Sequence, residues 1–276
     1  MNSPSSATPL LPALALSDEE LARVSNLIYR RAGIVLTPAK REMVRGRLSR
    51  VVRDCQCDSF AAYLDFLEAQ PEGPAWEAFT NALTTNLTGF FREAHHFQVL
   101  AQFCAARRSP LRIWSAAVST GEEAYSIAIT VLQTLGMQAQ LEIFATDIDT
   151  HALAQAERGI YPLSQVMKLT EEQRRYFLRG RGRQEGLARI RPEVQALVRF
   201  APFNLAASHW PTLPQFDLIF CRNVMIYFDR ATQERVLRRF APVLRRGGLL
   251  FAGHAENLNG LCDSFQLKGQ TVYERV

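Results

Sequence analysis

The sequence predicts an α/β protein in which a small all-helical region precedes a mainly parallel sheet. Three observations predict it. Residues 16–80 carry apolar positions at helical spacing and no strand-like run. From residue 111 onward, short apolar runs alternate with helical segments, which is the rhythm of βα units. The last segments, 265–267 and 271–275 around Gly269, read as a closing hairpin, which gives the sheet an antiparallel edge.

The helical region follows a tail, residues 1–15, whose Ser, Pro and Ala content predicts flexibility. Ser17-Asp18-Glu19-Glu20 forms a capping box. Behind it Leu21, Val24, Leu27 and Ile28 make one apolar face, and Gly33 stands where a C-terminal cap belongs. Pro38 restarts a helix that runs to about Arg53, with Val44, Leu48 and Val51 on its inner face. Arg45, Arg50 and Arg53 lie opposite, and Arg41 and Arg47 lie on the flanks. From Lys40 to Arg53 these basic residues face one acid, Glu42. Solvated faces usually mix both signs, so this one points to an acidic partner; an ordinary solvated face is the competing reading. Residues 60–68 and 75–84 complete the helical domain, expected over 16–80.

The second domain, expected over 81–276, is organised around residues 111–127. Residues 111–116 read as a buried strand and 117–121 as a tight turn of small residues, with a helix opening at Glu122. Such a unit lets a nucleotide-like ligand approach the backbone closely. About 26 residues beyond Gly121 a second strand ends in Asp147, placed to accept both hydroxyls of a ribose. A dinucleotide fits poorly, because the turn holds one glycine and ends in Glu122-Glu123, and carboxylates repel a pyrophosphate. S-adenosylmethionine, with adenosine, no phosphate and a cationic end, suits the same residues. The competing reading is a plain βαβ unit with solvated acids.

The polar run Thr84-Thr85-Asn86-Leu87-Thr88, followed by Phe90-Phe91-Arg92-Glu93, reads as pocket lining or as a helix cap before core aromatics. Residues 150–158 are a helix closed by Gly159-Ile160-Tyr161-Pro162. The βα rhythm then breaks. A charged helix over 170–178, a Gly/Arg turn over 179–186 and short strands at 187–190 and 194–200 suggest a small antiparallel insert, about 163–197. The rhythm resumes with strands at 198–203 and 216–221, a helix at 230–244 closed by Gly247-Gly248, and a strand at 249–252.

Composition bounds the function. A hydrophobic fraction of 47% over 276 residues supports a sizeable core and argues against disorder. No apolar run reaches the roughly 20 residues that span a bilayer. Leu10-Leu11-Pro12-Ala13-Leu14-Ala15-Leu16 makes a poor signal peptide, so a cytoplasmic address is expected. Cys55, Cys57, Cys104, Cys221 and Cys262 form no metal-binding set and are expected to be reduced; no metal is expected. The net charge of +5 is too mild to imply nucleic acid.

Four stretches in order carry a family resemblance: Thr84-Thr85-Asn86-Leu87-Thr88-x-Phe90-Phe91-Arg92, Trp114-Ser115-x-x-x-Ser119-Thr120-Gly121-Glu122-Glu123, Ala145-Thr146-Asp147-Ile148-Asp149, and Phe220-Cys221-Arg222-Asn223-Val224-Met225-Ile226-Tyr227-Phe228. With Gly253-His254-x-Glu256-Asn257 and Gly269-Gln270-Thr271-Val272-Tyr273, the chain resembles the CheR-type chemotaxis receptor methyltransferases over nearly all residues beyond 16. The resemblance implies a Rossmann-like S-adenosylmethionine-dependent domain that methylates receptor glutamates and releases S-adenosylhomocysteine. It implies a cofactor site of Asn86, Thr88, Arg92, Glu123, Asp147, Asn204, Leu205, Arg222 and Asn223. Asn204 is expected to meet the adenine edge, and Glu123 to face the cationic end of the cofactor.

Arg92 is expected to hold the incoming carboxylate, and Tyr227 to donate to it or wall the methyl channel. The competing readings are a salt bridge from Arg92 to Glu93 or Asp147 and a core aromatic at 227. The basic helix, through Arg41, Arg45, Arg47, Arg50 and Arg53, would meet the acidic methylation region of the receptor. The insert, through Gly180-Arg181-Gly182, would bind the receptor's C-terminal tail peptide by strand addition. A monomer is expected, with neither nucleic acid nor membrane insertion. One departure is Ala124, where members often have Pro; alanine forms helix well and leaves the site intact.

An S-adenosylmethionine enzyme acting on RNA is the alternative. Arg179, Arg181, Arg183, Arg189 and Arg191 would suit it, but no aromatic residues interleave them for base stacking, and no Asn/Asp-Pro-Pro-Tyr stretch occurs.

Overall fold

A computed structural model describes residues 14–70, 72–107 and 110–276. Residues 1–13 of the expected flexible tail lie outside these. The chain forms two compact units, one of 14–27 with Leu36–Leu83, the other of Ile28–Val35 with Thr84–Val276.

The smaller unit is helical. α1 (Asp18–Ala32) starts at the expected capping box: the Glu20 N–H donates to Ser17 Oγ at 3.1 Å, and the Ser17 N–H donates to Glu20 Oε2 at 2.8 Å. Gly33 ends it with φ +70°. A 3-10 turn, Pro38–Lys40, leads into α2 (Arg41–Asp54), followed by α3 (Phe60–Glu68) and α4 (Pro74–Leu83). α2 buries Val44, Leu48 and Val52; the expected Val51 is only half-buried, because the i, i+4, i+8 row sets the face. Tyr63, Leu64, Leu67 and Phe79 are fully buried, each contributing about 1.5–3 kcal/mol of apolar transfer.

The larger unit opens with α5 (His95–Arg107), a helix the sequence reading left unassigned, and continues with β1 (Leu111–Ser115), α6 (Glu122–Leu135), β2 (Leu141–Asp147) and α7 (Thr150–Arg158). Then come β3 (Ile160–Pro162), α8 (Leu163–Val166), α9 (Glu171–Arg174), β4 (Phe177–Arg179), β5 (Leu187–Ile190), α10 (Pro192–Gln195) and β6 (Val198–Pro202). β7 (Phe216–Cys221), α11 (Arg230–Val243), β8 (Leu244–Ala252), β9 (Phe265–Gly269) and β10 (Val272–Arg275) complete it.

The main sheet runs β6-β2-β1-β7-β8-β10-β9. It is parallel from β6 to β8, and β10 and β9 form an antiparallel edge. Period-two alternation sorts its side chains into two cores. Ile113, Ile143, Leu218 and Phe220 pack with α5 and α6, whereas Trp114, Phe144, Ile219 and Cys221 pack with α11. All five cysteines are free.

Four expectations are corrected. The charged helix over 170–178 is a single turn: Thr170 and Gln173 close a capping box, and Phe177 then turns inward and pairs with Ile190 as a strand. The small antiparallel sheet, in the order β3-β5-β4, begins at Ile160. The strand expected over 194–200 is divided, because Pro192 starts the helical turn α10, and Val198–Pro202 joins the main sheet beside β2. Gly247-Gly248 does not close a helix. α11 passes into β8 at Leu244, and a Cβ on Gly248 would stand 2.6 Å from the Asp217 carbonyl, so close strand approach requires glycine there.

Candidate active site

In the larger unit, the carboxyl ends of β1, β2 and β7 lie side by side, and the chain order reverses between β1 and β7. Ligands of open α/β sheets bind at such a switch point. After β1, Ser119 takes φ +53° and gives its N–H to Asp147 Oδ2 at 2.7 Å. Gly121 follows at φ +97°. A Cβ there would lie 2.8 Å from the Ala156 side chain and from the Tyr161 hydroxyl, so this glycine serves packing within the chain rather than a phosphate. Phe91, Glu93 and Asn223 also have positive φ. Such conformations cost roughly 1–3 kcal/mol each and cluster at functional sites.

Asp147 ends β2 and is buried. Oδ1 accepts the Asp149 N–H at 2.9 Å. Each of its oxygens therefore holds one backbone donor and keeps a lone pair for another. Burial raises its pKa from 3.8 to about 6, against the pull of those N–H groups.

Arg222, past the end of β7, is buried between two acids, Glu93 Oε2 at 3.2 Å and Glu123 Oε2 at 3.1 Å. It also donates to the Arg92 carbonyl, and its guanidinium carbon sits 5.8 Å from the Phe97 ring centre. Glu123 accepts Ser115 Oγ at 2.7 Å. Burial raises the Glu123 pKa more than Arg222 and Ser115 lower it. At Glu93 burial also pushes upward, but His254 and Arg222 outweigh it and hold the carboxyl below its usual value. Glu123 thus carries one donor on each oxygen, Ser115 and Arg222, and is paired with a cation of the protein itself.

Asn223 donates from Nδ2 to Glu93 Oε1 at 3.1 Å. The buried Glu256 carboxylate fixes the turn after β7, accepting the N–H groups of Asn223 (3.0 Å), Val224 (2.8 Å), Met225 (2.7 Å) and Gly253. Glu93, His95 and His96 bring one possible ligand atom each to within 4.8 Å of one another. The Arg222 guanidinium already occupies Glu93, and that fixed positive charge opposes a cation there.

The segment 84–89 has no regular secondary structure. Asn86 donates to Asp149 Oδ2 at 2.7 Å, and Ser119 Oγ donates to the Asn86 carbonyl at 3.2 Å. Thr88 and Arg92 are half-buried. Arg92 donates to the Leu87 carbonyl at 2.8 Å and, among the described residues, forms no ion pair with Glu93 or Asp147. Tyr227 lies in a 3-10 turn, Met225–Tyr227; it belongs to neither hydrophobic core, and its carbonyl accepts the Val35 N–H at 2.9 Å. Asn204 has its amide committed, donating to the Arg31 carbonyl at 2.7 Å and accepting the Ala206 N–H at 2.9 Å; this leaves its side-chain oxygen capping a turn. Leu205 is buried in the core beneath α11.

The structure therefore links Asn86, Glu123, Asp147, Arg222 and Asn223 through hydrogen bonds and strand ends, and Arg92 through its carbonyl. Sequence reasoning gave no role to Glu93, Ser115, Asp149 or Glu256. The quoted motifs contain Asp149 and Glu256, but their partners are remote in sequence.

The arrangement fits an adenosyl cofactor without phosphate. Asp147 keeps a lone pair on each oxygen at a strand end, and the turn's one glycine, Gly121, is taken up by packing against Ala156 and Tyr161 rather than left open for a pyrophosphate. A parallel sheet of this order, with a buried acid at the end of its second strand and an acid-rich first turn, is the architecture of a Rossmann-like S-adenosylmethionine-dependent methyltransferase. Comparison with known proteins agrees. Residues 19–84 match the CheR methyltransferase, all-alpha domain, and residues 86–274 match the CheR methyltransferase, SAM binding domain. The chain belongs to the CheR methyltransferase family. It is 55% identical over 262 residues to a chemotaxis protein methyltransferase of Klebsiella aerogenes, covering 94% of this chain and 90% of that one. It is 53% identical to the Escherichia coli chemotaxis protein methyltransferase (94% and 92%), and 46% identical to chemotaxis protein methyltransferase 2 of Pseudomonas aeruginosa (92% and 92%). S-adenosylmethionine-dependent methyl transfer in chemotaxis is the shared activity.

Proposed function

We propose that the methyl acceptor is the side-chain carboxylate of glutamates on the helical domains of chemoreceptors, giving a glutamate methyl ester and S-adenosylhomocysteine. The observation that carries this reading is Arg92: a guanidinium without a carboxylate partner among the described residues, in a segment whose neighbour Asn86 is tied to the site. A half-exposed arginine of this kind suits an incoming carboxylate, which it can meet with paired N–H groups.

S-adenosylmethionine supplies an electrophilic sulfonium methyl. A glutamate is already ionised near pH 7, so the residues here need hold no proton for it. Their task is orientation and exclusion of water. Arg92 aligns the carboxylate, and Tyr227 walls the channel or donates to the acceptor oxygen. Asn86, Thr88, Glu123, Asp147, Asn204, Leu205, Arg222 and Asn223 shape the cofactor pocket. Asn204 is held in place by its bonds to Arg31 and Ala206, and keeps one N–H and one oxygen lone pair beyond them.

Asp147 gives this reading a pH signature. With its pKa at about 6, the carboxyl in the unliganded protein is protonated below that pH and accepts ribose hydroxyls poorly. Cofactor affinity is expected to be flat above pH 7 and to fall about tenfold per unit well below 6. The sign for folding is opposite. A folded pKa raised above 3.8 makes the unliganded protein gain stability as pH falls through that window. Calorimetric titration of S-adenosylmethionine from pH 5 to 8 checks this, and the profile should flatten in Asp147→Asn.

Two receptor surfaces follow. On α2, Arg50 and Arg53 are exposed, Arg50 beside Asp54 at 3.7 Å; Arg41 pairs with Asp18 and Arg45 with Glu42, and Arg47 donates to the Leu83 carbonyl at 3.4 Å. Exposed pairs of this sort are worth about 0–1 kcal/mol, so an acidic receptor face can exchange them. In the small sheet, β4 is an edge strand, free to take up a receptor tail peptide. Gly180 is required beside it, because a Cβ there would collide with the Gln184 carbonyl. Gly182 holds φ +56° in the same turn. Calorimetry with the tail peptide tests this surface; no heat of binding would remove it. No described helix is long and apolar enough to cross a membrane, and the reading places a monomer in the cytoplasm.

The decisive experiment supplies methyl-labelled S-adenosylmethionine and receptor-containing membranes, then mild base. A glutamate methyl ester releases volatile methanol; N-methyl and ribose O-methyl groups do not. Base-labile label on the receptor band is expected. Base-resistant label, or label on RNA, would overturn the acceptor while leaving cofactor and fold in place.

A further inference from the structure

Asp149 stands two residues beyond Asp147 and is 2% exposed. Its carboxylate joins three parts of the site. Oδ1 accepts the Ala152 N–H at 3.0 Å and caps α7. Oδ2 accepts two side chains of the irregular segment that precedes α5, Thr84 Oγ1 at 2.5 Å and Asn86 Nδ2 at 2.7 Å. Its backbone N–H is held by Asp147 Oδ1 at 2.9 Å. One buried anion thus ties the end of β2, the start of α7 and the segment 84–86 together.

That segment has no strand or helix ladder to hold it. Among the described residues Asn86 has one other partner, Ser119, whose Oγ donates to its carbonyl at 3.2 Å and more weakly to its Oδ1 at 3.4 Å. Ser119 in turn gives its own N–H to Asp147. The network is a closed ring: Asp149 to Asn86, Asn86 to Ser119, Ser119 to Asp147, Asp147 back to Asp149. Hydrogen bonds to a charged acceptor are stronger than neutral ones, and Asp149 supplies two of them to this segment.

We propose that Asp149 is a positioning residue for cofactor affinity: it touches no substrate, and it acts by pinning the Asn86 side chain against the turn that faces Asp147. The proposal rests on the reading of Asn86 as a cofactor residue, which the same experiment tests separately.

Asp149→Asn isolates the effect. The asparagine oxygen can keep the α7 cap, and the Thr84 hydroxyl can rotate to accept from the new amide. Asn86 then either meets N–H₂ with N–H₂ or turns its own amide over, which exchanges the donor and acceptor it shows to the cofactor. S-adenosylhomocysteine affinity is measured by calorimetry for the wild type, Asp149→Asn, Asn86→Ala and the double variant, with melting temperatures alongside. Each single substitution is expected to weaken binding about tenfold, and the double variant to be no weaker than Asn86→Ala within about twofold, the pattern of two residues acting through one contact. The melting temperature of Asp149→Asn should stay near that of the wild type.

If Asn86→Ala binds as the wild type does, the cofactor role of Asn86 falls, and the proposal with it. If Asn86→Ala is weak but Asp149→Asn is not, the proposal alone falls. Losses that multiply in the double variant, or a collapse of melting temperature in Asp149→Asn with unchanged affinity in the folded fraction, would assign Asp149 a structural role only and overturn it.

Discussion

Arg92→Ala is expected to lower kcat/KM for receptor methylation by about 100-fold or more, the scale of removing a charged donor aimed at a reacting oxyanion. The fold should tolerate it. Among the described residues the guanidinium bonds to the Leu87 carbonyl alone, and the loss of that bond is worth about 0.5–1.5 kcal/mol. For a domain of this size that lowers the melting temperature by no more than about 6 °C. The loss should divide between kcat and KM for the receptor, with S-adenosylmethionine affinity changing much less, because the carboxylate is the partner in question. Initial rates with labelled cofactor, beside calorimetry of cofactor binding, separate these. Arg92→Lys keeps the charge but not the planar fork, and should recover part of the loss. Wild-type rates in Arg92→Ala would end the assignment.

Local signals account for much of the fold. The end of α7 was readable because Gly159 takes the left-handed conformation after it, whereas the cap that Asp149 supplies at its start went unread. β1, β2 and β7 were readable as apolar runs bounded by turns, with burial nearly continuous along each. The small sheet was only half legible. Its strands span three or four residues, too short for alternation to separate strand from helical turn, so the charged stretch after Thr170 resembled a helix. Gly247-Gly248 looked like a terminator, and only the approach of the Asp217 carbonyl reveals why a strand needs a glycine there.

For the site, residue types were legible but pairings were not. Glu123 and Arg222 are 99 residues apart, and Asn223 and Glu93 are 130 apart; no local spacing encodes such contacts. Glu123 therefore read as a free anion, although it is paired with Arg222. The amide of Asn204 likewise read as a ligand group, although it braces the chain at Arg31 and Ala206.

Arg222→Met is expected to produce the largest loss of stability. The substitution leaves Glu93 and Glu123 near one another without the cation between them, and both side chains are about 10% exposed. Removing one partner of a buried ion pair costs about 3–5 kcal/mol, because the remaining charge is desolvated and unpaired. At roughly 2–4 °C per kcal/mol, the melting temperature should fall by about 6–20 °C near neutral pH. The pH dependence distinguishes this cause from lost packing. Without Arg222, the main opposition to desolvation at Glu123 disappears and its pKa rises further; Glu93 loses one of the contacts that hold it below the usual value. A carboxyl with a folded pKa above its unfolded value binds more protons when folded, so the variant gains stability relative to wild type as pH falls from 8 towards 5. Thermal melts at pH 8 and pH 5.5 should therefore show a smaller deficit at the lower pH. The double variant Glu123→Gln with Arg222→Met should recover part of the loss at pH 8, because one unpaired charge is gone. A deficit that is equal at both pH values would mean that the guanidinium matters for its contacts with Phe97 and the Arg92 carbonyl rather than for its charge.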